Sequence, residues 1–294
     1  MAEARAAGTI YDLGYQRYGG QRLGRNNAIA NLIRYSFRAA FGMGRGSKAK
    51  LLPMIVTGVV FLPALVQVGL ASATGRPEIV NYAGQLNFTA FLLALFVAVQ
   101  APELVVTDKQ QGVLSLYLSR PLTAADYAMS KMFALSGAVL VITLGPQLFM
   151  FFGKVLLSST PWPLFKSELP QLAPIIGGAM MTSVFIAAIA LSISSLCAKR
   201  ANATASVIAT FLVLPAAVEI IRAFTTGNVR RYAPLANPIL VLNGFVTWLF
   251  DVQARRRTVI SRLDLPGQAY LYVMIVVTIA GVATLVWRYR RQTA

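Results

Sequence analysis

The sequence predicts an all-α integral membrane protein with six transmembrane helices, an N-terminal amphipathic interfacial helix, and a re-entrant or interfacial segment before the last span. Of the 294 residues, 56% are hydrophobic and 13% are charged, with a mean hydropathy of +0.62, whereas a soluble domain carries about 25% charged residues. Six apolar runs also reach the roughly 20 residues that a helix needs to cross about 30 Å of hydrocarbon. These runs cover residues 51–71, 86–106, 127–152, 172–197, 202–221 and 269–287.

The residues before the first span differ in composition from the rest of the chain. Residues 1–25 are rich in Gly, Tyr and Arg and show no sustained apolar period, which is typical of an extended tail. The first long apolar run begins only at Leu51, so this part does not fit a cleavable signal peptide. We therefore expect a cytosolic N-terminal part over residues 1–50 and a six-helix transmembrane domain over residues 51–294.

An amphipathic helix is predicted between Asn26 and Gly42. Its apolar residues recur at helical spacing and share one face, while Arg34 and Arg38 lie towards the other side. Either Asn26 or Asn27 can cap the first turn, because asparagine is a preferred residue at that position. Such a helix is expected to lie in the membrane interface, with its basic residues available to lipid headgroups.

The residue types exclude several kinds of site. The chain has no His and one Cys, Cys197, which excludes internal disulfides, zinc sites and His-dependent catalysis. The glycine-rich segment 42–50, GMGRGSKAK, lacks the Gly-Lys-Ser/Thr order of a phosphate loop, and no strand is predicted before it. We therefore expect this chain to bind no metal and no cofactor, and a partner would have to carry out any ATP hydrolysis.

The net charge of +17 indicates orientation in a membrane rather than nucleic-acid binding. The basic residues flank the apolar runs instead of forming a groove with interleaved aromatic residues. In the orientation that best satisfies the positive-inside rule, 17 of the 27 Lys and Arg residues are cytosolic, and 7 of the others lie in one long loop over 222–266. This orientation places both termini and the connection between the second and third spans in the cytosol.

The long loop over 222–266 contains the apolar segment 236–251, ANPILVLNGFVTWLFD. It is too apolar for a free loop, and it is short and interrupted by Asn and Gly, which does not favour a span. A re-entrant or interfacial helical pair is therefore expected there. The arginines that follow, Arg255 to Arg257 and Arg262, would act as headgroup-level anchors or contact an anionic substrate.

The connection over 102–131 is a polar interruption between two spans. Its middle part, VLSLYLSRPL after Gly112, places apolar residues at helical spacing and predicts a short amphipathic helix that Pro121 ends. Thr123 and Asp126 then have the spacing of a capping box, so the next helix is expected to begin there.

The order of residues in this connection resembles the ABC type-2 permeases. In that family an acidic residue ends a span, and a polar pair, a short Leu-rich helix with Arg-Pro and a Lys at the start of the third span follow. The matching residues in this chain are Glu103, Gly112, Leu114, Leu118, Arg120, Pro121 and Lys131. A departure is the pair Gln110 and Gln111, where many relatives carry acidic residues.

The resemblance implies that the connection is a coupling helix seated in a cleft of a separate ATP-hydrolysing subunit, which binds ATP and Mg²⁺. Two permease subunits, identical or related, would form a pathway in the plasma membrane of a bacterium and export a hydrophobic or amphipathic compound by alternating access. The turn with Lys199 and Arg200 would be a second, smaller contact. The candidate coupling residues are Glu103, Lys109, Gln111, Gly112, Leu114, Leu118, Arg120, Pro121, Asp126 and Lys131.

Few other residues suggest chemistry within the spans. Glu219 and Arg222, one turn apart, fit either a mutually neutralising pair or a substrate or gating role. Aromatic and Met residues could line a pathway for amphipathic compounds, although helix packing also explains them. These residues are Phe149, Met150, Phe151, Phe152, Met180, Met181, Phe185 and Phe211.

Two alternatives to an ATP-driven permease remain. A transporter or channel that works without an ATPase would need coupling ions or a polar pore lining, and the sequence indicates neither. An intramembrane enzyme would need catalytic groups, and the chain has no His and no clustered Asp or Glu.

Overall fold

The computed structural model describes residues 24–44, 46–112, 122–158, 160–252 and 265–293. Within these ranges the chain is almost entirely helical and contains no strand. Six of the helices there are long and apolar enough to cross a membrane, and they coincide with the six predicted spans. The predicted fold class is therefore confirmed.

Helix α1 begins at Arg25, and α11 ends at Thr293. The helices are α1 (Arg25–Ala40), α2 (Ser47–Thr74), α3 (Tyr82–Gln110), α4 (Ala124–Leu156), α5 (Pro161–Glu168), α6 (Leu172–Leu196), α7 (Arg200–Ile208), α8 (Leu214–Phe224), α9 (Gly227–Tyr232), α10 (Pro238–Leu249) and α11 (Gly267–Thr293). We call the end of the bundle where α3 ends and α4 begins the proximal end. The opposite end, which holds α5, α9 and α10, is the distal end.

Three helices form the centre of the bundle. Between 56% and 78% of the apolar stretches of α3, α4 and α6 is buried, compared with 17% to 28% for α2, the span formed by α7 and α8, and α11. The peripheral helices therefore expose apolar side chains, such as Met54 on α2 and Val276 on α11. Apolar faces that are exposed along whole spans fit a surface in contact with lipid or with another protein.

Helix α1 packs its apolar face on the bundle. Leu32, Ala39 and Ala40 are buried, and the ring of Phe37 lies against Gly137 of α4. The predicted caps were wrong: the helix begins at Arg25, and the residue before it, Gly24, makes no side-chain cap. The backbone carbonyl of Gly24 instead accepts hydrogen bonds from the first turn, and an ion pair of Arg25, described below, holds that turn in place.

The fifth span is a continuous helix with an irregular middle. Between α7 and α8, residues Ala209–Val213 form a π-helical segment. Pro215 lies two residues after this segment and has no N–H to donate to the carbonyl of Phe211, so the regular hydrogen-bond pattern cannot continue there. A sequence pattern of apolar residues alone does not indicate such a segment.

The segment before the last span, where the sequence predicts a re-entrant or interfacial helical pair, forms one short helix, α10. Asn237 caps α10, its side chain accepting a hydrogen bond from the N–H of Leu240 at 3.1 Å. Helix α10, at 12 residues, is too short to cross a membrane. It packs against the first turns of α11, where Gly244 faces the ring of Tyr270.

Candidate functional site

A buried ion pair joins α3 to α4 at the proximal end. The Nζ of Lys131 lies 2.7 Å from Oδ2 of Asp108, and only 1% of the Lys131 side chain is exposed. The hydroxyl of Tyr127 donates a hydrogen bond to the same carboxylate oxygen at 2.8 Å. Because a buried charge is stable only when it is paired and hydrogen-bonded, these three side chains form one structural unit.

Tyr127 extends this unit to the last helix. Its ring meets that of Tyr289 on α11 edge to face, with 4.9 Å between the centroids, a favourable aromatic geometry. The Nζ of Lys131 also lies 5.2 Å from the centroid of the Tyr127 ring. Three of the six spans therefore meet at Tyr127.

A second ion pair links α3 to α7. Arg200 contacts the carboxylate of Glu103. The Glu103 side chain is buried, whereas 51% of the Arg200 side chain is exposed. The side-chain amide of Gln110 donates a hydrogen bond to the carbonyl of Ala198 at 3.2 Å. The end of α3 and the turn before α7, which the sequence treats as two separate contact regions, are thus joined directly.

A third ion pair joins α1 to the start of α4. The guanidinium of Arg25 donates through Nε to Oδ2 of Asp126 at 3.0 Å and through Nη2 to Oδ1 at 2.8 Å. The hydrogen bond raises the pKa of Arg25 above its usual value. Asp126 also forms a capping box with Thr123, which confirms the prediction made for the start of this helix. One carboxylate therefore fixes both the start of α4 and the position of α1.

The remaining proximal candidates are only partly described. Gly112, with a φ of +67°, follows the end of α3, and Gln111 precedes it at the surface. Lys199 is exposed at the start of α7. Lys109 is half-buried in the last turn of α3. The other predicted residues of the coupling helix, Leu114, Leu118, Arg120 and Pro121, lie outside the described residues, as do Arg255 to Arg257 and Arg262.

The intramembrane pair lies far from this network. The Nε of Arg222 is 3.3 Å from Oε2 of Glu219 on the same face of α8. The pair occupies the distal part of the fifth span, so the structure does not bring it together with the proximal candidates.

The aromatic and Met residues do not share one surface. Phe151 and Phe185 are buried among the central helices, whereas Phe149, Phe152 and Met180 are exposed. The buried members contribute to packing. The exposed members face outward from this chain, where lipid or a second protein can contact them.

Sequence reasoning missed a charged cluster at the distal end. The Nζ of Lys154 lies 2.7 Å from Oε1 of Glu168, and the hydroxyl of Tyr82 donates to the other carboxylate oxygen at 3.3 Å. These residues border an open cleft of about 340 Å³. A Lys and a Glu on either side of a short connection are common in sequences, so they gave no specific signal.

The proximal ion pairs connect α1, α3, α4 and α7 through discrete contacts on either side of the connection between α3 and α4. A displacement of that connection would therefore reach several helices at once. No protein-family model matches this chain, and no curated protein matches it either.

Proposed function

We propose that this chain is the permease subunit of an ATP-driven transporter of the ABC type-2 class. The observation that carries the proposal is the anchoring of the connection between the second and third spans. Ion pairs of Asp108 and Glu103, two largely buried carboxylates, hold its beginning, and ion pairs of Lys131 and Asp126 hold its end. A connection whose two ends are held by ion pairs can pass a displacement to the spans.

In this proposal the partner ATPase binds the helix expected over residues 111–120. When ATP binding closes the partner, the push on this helix moves the end of α3 and the start of α4 together, because Asp108 and Lys131 tie them. Glu103 and Arg200 pass the motion to α7. The spans then change between inward-open and outward-open arrangements.

The charge of the proximal end supports a partner with an acidic surface. Lys199 and Arg291 are exposed there. Acidic side chains of an ATPase would pair with these cations. ATP and Mg²⁺ would bind in the partner, because the chain has no phosphate-loop motif.

A second permease subunit would complete the transport pathway. The support is the apolar surface of the peripheral helices, where residues such as Leu62 on α2 and Val213 beside α8 are more than half exposed. Between two such subunits, an exported hydrophobic or amphipathic compound, such as a drug, lipid, peptide or glycan carrier, would cross the membrane.

The test is co-purification in detergent with a candidate ATPase subunit, chosen as a neighbouring reading frame that carries the Gly-x-x-x-x-Gly-Lys-Ser/Thr motif. The variant Arg120→Glu with Leu114→Asp should lose the complex and the ATP turnover that depends on it. The matched control, Arg76→Glu with Leu169→Asp, changes the same residue types at exposed distal positions and should keep both. An intact complex with unchanged turnover in the first variant would contradict the proposal and favour a transporter or channel that works without an ATPase.

A further inference from the structure

The outer face of α1 and the turn that follows it border a cleft of about 490 Å³. Its lining consists of Asn31, Arg34, Tyr35, Arg38, Met43 and Gly44. Arg34 and Arg38 are one helical turn apart and therefore lie on the same face. Both are exposed, and neither forms an ion pair with the described residues.

The surroundings of this cleft are basic and contain no carboxylate from the same stretch of chain. Between Asp12 and Glu78 the sequence has no Asp or Glu, while Lys48 and Lys50 follow the turn closely. The amide of Asn31 and the hydroxyl of Tyr35 can add neutral hydrogen bonds. A lining of hydrogen-bond donors and uncompensated positive charge suits a phosphate group, which accepts hydrogen bonds and is negatively charged.

The position of the cleft selects a lipid over a soluble anion. Helix α1 is held to α4 at both ends, by Arg25 at its start and by Phe37 near its end. Exposed apolar residues begin at once after the cleft, with Met43 on its edge and Leu51 and Met54 in the first turns of α2. A cationic cleft beside apolar surface matches the boundary between lipid headgroups and acyl chains.

We propose that this cleft binds the phosphate headgroup of an anionic phospholipid. The guanidinium groups of Arg34 and Arg38 donate hydrogen bonds to the phosphate oxygens, and the acyl chains lie along the exposed start of α2. The bound lipid would hold α1 against the bundle from outside, opposite the ion pair of Arg25. The proposal requires only that the chain lies in a membrane, so it does not depend on the partner ATPase.

The test is a titration of the purified full-length protein in detergent with phosphatidylglycerol or phosphatidylcholine, followed by native mass spectrometry. Wild type should bind phosphatidylglycerol more tightly than phosphatidylcholine. The variant Arg34→Gln with Arg38→Gln should bind phosphatidylglycerol about 30-fold more weakly, which corresponds to about fivefold for each arginine near a membrane surface. Unchanged binding of phosphatidylcholine and an unchanged size-exclusion profile would show that this variant is folded.

The matched control is Arg76→Gln with Arg230→Gln, which removes the same charge at exposed distal positions and should leave phosphatidylglycerol binding intact. Three results would overturn the proposal. The first is unchanged phosphatidylglycerol binding in the α1 variant. This result would count against the lipid site even if the same variant failed to bind the ATPase. The second is an equal loss in the control, which would indicate general charge attraction. The third is displacement of phosphatidylglycerol by inorganic phosphate, which would indicate a site for free anions.

Discussion

The two ends of the bundle are held together in different ways. At the proximal end, ion pairs join residues that are distant in sequence, such as Arg25 and Asp126, which are 101 residues apart. At the distal end, the pair of Lys154 and Glu168 spans 14 residues and joins neighbouring helices. Several distal contacts instead involve glycines that allow close packing, as where Gly244 faces Tyr270.

This difference indicates which end is suited to a change of state. An ion pair between two helices is either formed or broken, so a set of such pairs can switch between discrete arrangements. Close packing through a glycine is lost only when the helices separate. The helices at the proximal end can therefore change their arrangement when ion pairs break or form. The packing of α10 on α11, in contrast, holds these two helices in one arrangement.

The largest effect is expected from Lys131→Met. Removing the buried cation leaves Asp108 charged and without its ion-pair partner, which should lower the free energy of unfolding by about 3–5 kcal/mol. Thermal unfolding in detergent, followed by circular dichroism, measures the loss. Adding Asp108→Asn should recover part of it, because the uncompensated charge is then gone. An unchanged unfolding temperature in Lys131→Met would show that the pair does not hold α3 to α4.

The next largest effect is expected from Gly244→Val on α10. A Cβ at this position would lie 2.7 Å from the ring of Tyr270, and such overpacking costs about 1–3 kcal/mol. The same unfolding measurement applies. Gly177→Val on α6 is the matched control, because a Cβ there meets nothing within 4 Å. Equal losses in both variants would show that helix propensity, and not packing, sets the cost.

A smaller effect is expected from Lys154→Met. Glu168, its partner, borders an open cleft and keeps the hydrogen bond from Tyr82, so water can solvate the carboxylate that remains. The pair is largely buried, with 10% of the Lys154 side chain and 16% of the Glu168 side chain exposed. The expected loss is therefore about 1–2 kcal/mol, between the values for exposed and for buried ion pairs. A loss as large as that of Lys131→Met would remove the distinction between the two ends.

The smallest effect on stability is expected from Arg25→Gln, because the arginine is 54% exposed and water screens its charge. The change should instead loosen α1. Limited proteolysis at low salt should cleave α1 faster in the variant than in wild type, and high salt should reduce the difference by screening the ion pair. A variant that is cleaved at the wild-type rate at both salt concentrations would show that apolar packing alone positions α1.

The helices that cross the membrane could be predicted from the sequence because their signal is local. A run of about twenty apolar residues identifies a span without any knowledge of which helices pack against it. The capping box of Thr123 and Asp126 likewise depends on residues only three apart. A helical segment that does not span could also be expected before the last span, since residues 236–251 are apolar but too few, although the predicted helical pair is the single helix α10. The π-helical segment before Pro215 could not, because many spanning helices accommodate proline by a kink instead.

The partners of the charged side chains could not be predicted, because they depend on which helices are neighbours. Glu103 and Arg200 were both candidate residues, yet nothing in the sequence joins α3 to α7. Lys131 was a candidate without its partner Asp108, and Tyr127 was missed because an aromatic residue in a span usually serves packing. The sequence did contain one usable signal: Asp108 and Lys131 stand on opposite sides of one connection, where antiparallel helices meet.

The most direct test of the proposed coupling role of the proximal end exchanges the charges of Glu103 and Arg200 in the complex with the proposed partner ATPase. Glu103→Arg and Arg200→Glu, each alone, should lower ATP turnover by the complex, and the double exchange should restore most of it because the ion pair can form again. Wild-type turnover in both single variants, or a double exchange as impaired as the singles, would contradict the coupling role of this pair.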